Sequence, residues 1–399
     1  MLHRGADVIH NIAEFLMVIS GIAALACIVC LVIHVGYEHS PQGFETISRI
    51  LRAMQWIFGA NVIFGLTFNL AETLKKNRWL KWTVDIALLV SLLPVIYPRP
   101  IHPWIPWLES VLYSPVFLNT VLVAYSIVTL SYAVFRMVDR RTNPSLLLSM
   151  SFLVFIILGT FLLMLPKSTT GGIDFIDAFF VSTSAVCVTG LTTVDVPTTF
   201  TPLGLAILAM LIQFGALGVM TFTSFFALFF SGSASIYSQL ILRDVIYSRS
   251  MNSLIPTLLY IMAFTIGVEI FGAVLIFASV HGTLDMDIEQ EIVFATFHSL
   301  SAFCNAGFSN LPGGMSNPLL LHHNISIYWI MTMLIIAGSI GFPILVNTKD
   351  AFVSYIRGFL NRLHGKRMKM RAVHQFNMNT KIVLFTFMLL FVAGTVLFL

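Results

Sequence analysis

Hydrophobic residues run along this chain in long unbroken stretches, without the two-residue alternation of a half-buried strand or the polar stripe of a surface helix. Stretches of about 20 apolar residues, the length a helix needs to cross about 30 Å of hydrocarbon, lie near 12–35, 50–70, 82–97, 112–135, 146–165, 200–230, 254–280, 325–347 and 380–399. They predict about nine spanning helices, the third short and ended by prolines. Two further segments, about 174–186 and 291–303, mix Ser and Thr into an apolar background and are too brief to cross.

Composition narrows the class. Only 10% of the residues are charged and 57% are hydrophobic, whereas a soluble domain carries roughly 25% charge. That excludes a soluble enzyme, a nucleic-acid-binding module and a disordered chain. The fold class is an all-α polytopic membrane protein. The net charge of +4 is too small and scattered for a polyanion patch, and four Cys give no disulfide framework.

Basic residues set the sidedness. Lys75, Lys76, Arg78 and Lys81, then Arg136, Arg140 and Arg141, then Arg243 and Arg249, then the run Arg357, Arg362, Lys366, Arg367, Lys369 and Arg371 fall in alternate connections. The connections between them hold only Arg99 in 98–110, only Lys167 in 166–199, and no Lys or Arg in 36–48 or 281–323. This places the N-terminus in the cytoplasm; the expected location is the cytoplasmic (inner) membrane. The first stretch reads as a retained helix rather than a cleaved signal, because Asp7 and Glu14 interrupt the n-region and the apolar run continues past Cys27 to Val35.

An internal repeat appears when the chain is displaced by 117 residues against itself. Ala178, Phe180, Ser182, Ser184, Ala185, Cys187 and Gly190 then fall on Ala295, Phe297, Ser299, Ser301, Ala302, Cys304 and Gly307. In the following helices Gly215 and Gly218 match Gly338 and Gly341. The unit is a helix, a half-helix that enters and returns, a tight Gly turn and a second helix. Ser182, Thr183, Ser184, Ser299 and Ser301 can satisfy the backbone groups that such a turn frees at membrane depth. Each half-helix would aim its partly negative C-terminal end inward, which favours a cation. The turns, Val188, Thr189 and Gly190 in one copy and Asn305, Ala306 and Gly307 in the other, carry no carboxylate or imidazole. Ligation would come from main-chain carbonyls, which suits a dehydrated monovalent cation. The outer approaches add Asp174, Asp177, Asp195, Asp285, Asp287, Glu289 and Glu291.

The stretches 184–191 (SAVCVTGL), 213–223 (QFGALGVMTFT), 301–311 (SAFCNAGFSNL), 337–344 (AGSIGFPI) and 240–249 (LILRDVIYSR) resemble the Trk/Ktr/HKT superfamily of potassium-uptake transporters. The resemblance covers about 146–399. It implies four M1–P–M2 repeats around one pore, with one filter glycine per loop, and Gly190 and Gly307 fall on two of these positions. A Gly at the first position is similar to the potassium-selective members, whereas Ser marks sodium-permissive plant relatives. The family further implies potassium as substrate with no other cofactor, a homodimer, and a cytosolic nucleotide-binding regulatory ring. Only two filter loops occur, and the last span echoes a further M1, with Gly394-Thr395 matching Gly159-Thr160. The chain therefore reads as the N-terminal portion of a four-repeat protein. Its domains are an N-terminal extension of about four helices (1–140), a first repeat (141–250), a second repeat (251–350), a basic cytoplasmic loop (351–377) and the first helix of a third repeat (378–399).

Other residues have plainer readings. Cys27 and Cys30 are packing thiols inside an apolar helix, and Cys187 and Cys304 pack behind the turns rather than form a disulfide. His298, matched by Val181, has a hydrogen-bonded structural role. His322 and His323 mark a solvated entry to the next span. Glu269 and Asp85 are intramembrane acids, functional by default, although Glu269 serves equally to bond a neighbouring helix. Gly215, Gly218, Gly338 and Gly341 serve close helix packing or a hinge. The basic loop 357–371 suits anionic lipid headgroups or a docked partner. Two other functions compete: a sodium-permissive or proton-coupled carrier using Glu269 or His298, and a membrane redox protein holding haem between histidines.

Overall fold

The computed structural model describes residues 2–38, 40–68, 79–97, 110–138, 144–218, 254–283, 286–340, 344 and 378–398. Among them the regular structure is helical, apart from one isolated antiparallel bridge between Thr169 and Phe200. The cytoplasmic clusters expected at 75–78, 140–141, 243–249 and 357–371, and Gly341 and Asp285, lie outside the described residues.

Besides single turns at Val196–Thr199 and Gly314–Ser316, the described helices are α1 Leu2–Gly36, α2 Pro41–Phe68, α3 Trp79–Ser91, α4 Leu93–Ile96, α5 Pro115–Val138, α6 Pro144–Leu163, α7 Phe175–Val186, α8 Pro202–Ala216, α9 Leu254–Val280, α10 Ile288–Phe303, α11 Pro318–His323, α12 Ile325–Ile340 and α13 Met378–Phe398. Pro41, Pro115, Pro144, Pro202 and Pro318 each open a helix, where a missing N–H costs nothing and the fixed φ is already helical. Ser40, Ser114 and Thr201 stand before three of them and accept the N–H of Gly43, Val116 and Gly204 at 3.2, 3.2 and 3.3 Å, capping the freed donors. Four described stretches are long and apolar enough to cross a membrane: Val18–Gly36, Pro41–Phe68, Leu259–Val280 and Thr380–Leu397. Pro115–Leu130, Phe152–Leu163, Pro202–Ala216 and Ile325–Ile340 are shorter apolar helices.

Two predicted spans are broken. The third divides at Leu92, where Pro94 in the next turn withholds a backbone donor. Within the stretch 200–230, the helix that opens at Pro202 stops at Ala216: Leu217 caps it, and Gly218 takes a φ of +73° while its N–H reaches the Gly215 carbonyl at 3.0 Å. A left-handed glycine is the usual way to stop a helix, and continuous apolar sequence hid it.

The chain forms two compact units, Met1–Val186 with Thr198–Tyr260, and Cys187–Pro197 with Ile261–Leu399. In the first, α1 packs on α2 and α5, and α3 on α5, around Ala24, Cys27, Phe58, Leu88, Leu122 and Tyr125. Gln55 is fully buried there and donates to the Ser91 carbonyl at 2.7 Å and to its hydroxyl at 2.9 Å. Asp85 is also buried, on α3. Further along the same unit α6, α7 and α8 pack on one another. In the second unit α10 packs on α12, with Ile276, Phe294, Ala302, Leu320, Ile327 and Leu334 in its core.

Candidate functional site

The two half-helices, α7 with 12 residues and α10 with 16, extend about 18 and 24 Å at 1.5 Å per residue. Neither crosses a bilayer core of about 30 Å. The sequence around each builds the same seat. Ser182 donates to the Ile156 carbonyl on α6 at 2.8 Å, and Ser299 to the Glu269 carbonyl on α9 at 2.7 Å. One turn further along, Gly159 and Gly272 leave room for those hydroxyls. A Cβ at Gly159 would overlap Ser182 Oγ and come within 2.7 Å of Leu211, and one at Gly272 would overlap Ser299 Oγ and come within 2.8 Å of Leu334. On the other side, Gly215 lies against the Val186 carbonyl and Gly338 against the Phe303 carbonyl, and a Cβ at either would overlap that oxygen. Gly272, Leu211 and Leu334 were missed in the sequence, and Gly159 was read only as the match of Gly394; the glycines at matching places in the helices before each half-helix were the available signal.

The turns follow one geometry. Val188 and Asn305 have φ of 55° and 57°, and Gly190 and Gly307 have φ of 80° and 76°. Alternating left-handed residues reverse the chain immediately after each half-helix. In the second copy the Asn305 N–H reaches the Ala302 carbonyl at 3.0 Å and the Ala306 N–H the Ser301 carbonyl at 2.7 Å, a Schellman closure with a left-handed residue after the cap. The Ser301 hydroxyl donates to the Phe308 carbonyl at 2.7 Å. Those carbonyls are occupied. Among the described residues, the carbonyls of Asn305, Ala306 and Gly307 accept no hydrogen bond. The two turns meet at their glycines. A Cβ on Gly190 would overlap the Ala306 carbonyl oxygen and stand 3.1 Å from the Gly307 Cα, while one on Gly307 would stand 3.5 Å from the Gly190 Cα. Thr189 is exposed and Ala306 is fully buried.

Behind the second turn lies a polar layer. His298, 1% exposed, uses both ring nitrogens, Nδ1 with the Phe294 carbonyl at 3.0 Å and Nε2 with Ser309 Oγ at 2.9 Å. This is the structural role expected of it. The Cys304 thiol donates to Glu269 Oε1 at 3.7 Å, so Glu269 meets the half-helix α10 through its carbonyl and the residue that caps it through its carboxylate. Ser184, the partner of Ser301 in the repeat, is buried with its hydroxyl unbonded among the described residues. Cys27 and Cys304 are buried, Cys30 is half-buried and Cys187 exposed; all are free thiols.

One acidic residue leaves the expected approach. Glu291 is 2% exposed, with Oε2 2.8 Å from His281 Nδ1 and Oε1 accepting the Gly282 N–H at 3.0 Å. The His281 bond first, and the Gly282 bond second, hold its carboxyl below the usual carboxylate range. It fastens the N-terminal end of α10 to the turn at Gly282. Asp174, Asp195, Asp287 and Glu289 remain exposed. Among the described residues no three His, Cys, Asp or Glu gather where a metal ion could be held.

Comparison with known proteins gives a consistent picture. The family model TrkH, described as "Cation transport protein", matches residues 113–399. The chain is 31% identical to the potassium/sodium uptake protein NtpJ of Enterococcus hirae, over 66% of this chain and 54% of that protein. It is 30% identical to the Ktr system potassium uptake protein B of Bacillus subtilis, over 61% and 49%. It is also 30% identical to the protein of the same name from Vibrio alginolyticus, over 64% and 51%. The chain spans about half the length of the curated relatives it matches.

Proposed function

This chain belongs to the TrkH family of cation transport proteins, and from that membership we propose that it acts in potassium uptake through a filter of main-chain carbonyls. The filter residues are Val188, Thr189, Gly190, Asn305, Ala306 and Gly307. The observation that carries this reading is the pair of left-handed turns, each at the C-terminal end of a half-helix, with no ionised side chain in either. The helix ends favour positive charge. Carbonyls can replace the hydration shell of a monovalent cation, whereas a divalent-cation pore is usually ringed by carboxylates. The names of the Bacillus and Vibrio relatives support potassium as the substrate. The name of the Enterococcus relative favours a second reading, in which sodium is also carried; Gly190 weighs toward potassium by its resemblance to the selective members.

The rest of the scheme follows from sequence. The N-terminus is cytoplasmic, by the alternation of Lys and Arg, and the membrane is the cytoplasmic one. Residues 141–250 and 251–350 are the first and second repeats, 1–140 an N-terminal extension, 351–377 a basic loop and 378–399 the opening helix of a third repeat. Gly215, Gly218, Gly338 and Gly341 serve packing or hinge motion. The protein pairs as a homodimer on a cytosolic nucleotide-binding ring, a reading that relatives named for a Ktr system support, and its basic loop meets lipid headgroups. The haem reading finds no support, since both ring nitrogens of His298 are engaged and His281 is paired with Glu291.

The test is uptake into proteoliposomes that carry the gene product. Potassium entry that saturates, with sodium entering at least tenfold more slowly, is expected. Equal entry of both ions favours the second reading, and entry of neither ion into vesicles with confirmed, folded protein refutes the proposal.

A further inference from the structure

Asn305 occupies a left-handed backbone position directly before the second filter glycine region, and its side chain reaches the helix that follows. Ser339 Oγ donates to the Ile335 carbonyl at 2.7 Å within α12 and lies 3.1 Å from the Asn305 amide. With the amide nitrogen turned toward the helix, it donates both to Ser339 Oγ at 3.1 Å and to the Ile335 carbonyl at 3.3 Å, and its oxygen accepts the Ser339 N–H at 3.3 Å. That orientation gives the hydroxyl one donor bond and one acceptor bond. Gly338, next to Ser339, lets the helix close onto the Phe303 carbonyl; a Cβ there would also come within 2.8 Å of the Asn305 amide. The amide, the hydroxyl and the glycine thus form one contact between turn and helix.

The first repeat differs at both ends of this contact together. Val188 stands where Asn305 does, and Ala216, after Gly215, stands where Ser339 does after Gly338. Both polar partners are present in one copy and both are absent from the other.

We propose that Asn305 and Ser339 form a polar latch which holds the second turn against α12 and so sets its cation selectivity, with no counterpart in the first repeat. The inference rests on the reading of these turns as the filter. A left-handed residue fixes the direction of its own carbonyl, and a side chain anchored to a helix keeps that backbone from relaxing. Asn305 and Ser339 are positioning residues: they act through the carbonyls of the turn, and a shift of α12 would reach those carbonyls through the amide.

The experiment is a double-mutant cycle on the gene product, with Asn305→Val, Ser339→Ala and the pair, plus Ser339→Thr, which keeps the hydroxyl. The ratio of potassium to sodium permeability and the thermal midpoint in detergent are read for each. Each single variant should lower the ratio at least threefold, the pair should lower it no further than Asn305→Val alone, and Ser339→Thr should stay near the parent. Additive losses, or single variants within a factor of 1.5 of the parent, overturn the latch. Gly190→Ser separates the two readings. If it changes the ratio while the cycle does not, the filter stands and the latch falls. If it leaves the ratio unchanged, the filter reading fails and the claim on selectivity fails with it, while coupled thermal midpoints in the cycle would leave Asn305–Ser339 as a bond of the fold alone.

Discussion

The two repeats are built on one seat and finished differently. Each has a serine donating to a carbonyl of the preceding helix, a glycine in that helix making room for it, and a leucine packed over both. Each also has a glycine of the following helix against the last carbonyls of the half-helix. The second then adds polar groups where the first is apolar: Glu269 for Ile156, His298 for Val181, Asn305 for Val188 and Ser339 for Ala216. Its Ser301 is bonded where Ser184 is not. The lesson is that the repeat supplies the scaffold and its dipoles, while side-chain chemistry around the turn is free to diverge. A repeated backbone can therefore carry different side-chain chemistry at each copy.

The largest expected effect tests what the repeats share. Gly215→Ala and Gly338→Ala drive a methyl into a backbone carbonyl that side-chain motion cannot move aside. Each should cost about 3 kcal/mol, the upper end of ordinary overpacking, and by similar amounts. Thermal unfolding in detergent reads both, and a mild effect at one glycine alone would break the equivalence of the seats.

The next effect tests what they do not share. His298→Val imports the residue of the first repeat and removes two hydrogen bonds of a buried ring, so stability should fall by about 1–3 kcal/mol. Val181→His buries an imidazole among apolar neighbours and should cost as much or more. If either exchange is neutral, the polar layer of the second repeat is not specific to it.

Ser182→Ala and Ser299→Ala should each cost about 1 kcal/mol, and equally, because the acceptors are equivalent carbonyls. Of the same size and opposite sign, Val188→Asn should stabilise by about 1 kcal/mol. A β-branched residue pays for a left-handed φ that Asn tolerates, and Val188 holds a φ of 55°. A destabilised Val188→Asn protein would mean that the apolar contact of Val188 outweighs its strain.

A smaller effect concerns the N-terminal end of α10. Glu291 is held below its ordinary value of 4.5 by His281 and Gly282. A carboxyl lowered in the folded state adds stability that is full above about pH 4.5 and is lost as pH falls through its lower folded value. Glu291→Gln should flatten the stability profile in that acidic window.

The sequence made much of this visible for physical reasons that the residues display. Uninterrupted apolar length gave the spans, and 254–280 coincides with α9. Gly190 and Gly307 stood out because a reversal at membrane depth needs positive φ. The pairing of Gly159 with Gly272 did not, because the helices before the two half-helices align at a different displacement from the half-helices themselves. Val188 gave no sign of its conformation, since nothing in a valine side chain favours a left-handed backbone. Glu291 looked like its exposed acidic neighbours, and its burial depends on His281, ten residues earlier and brought back by the turn at Gly282. The stop at Gly218 was masked by apolar residues on both sides. Contacts set by tertiary packing, such as Asn305 with Ser339, become legible only when the two helices are placed together.

The central claim is that the paired turns select a cation through their backbone, and Gly190 is where it can be tested most directly. Its φ of 80° and its contact with the Ala306 carbonyl leave no space for a side chain. The measurement is the ratio of potassium to sodium permeability for Gly190→Ser against the parent, in proteoliposomes with matched amounts of folded protein. A fall of at least tenfold, with sodium entry retained or raised, is predicted. A ratio that stays the same in folded protein would contradict the account.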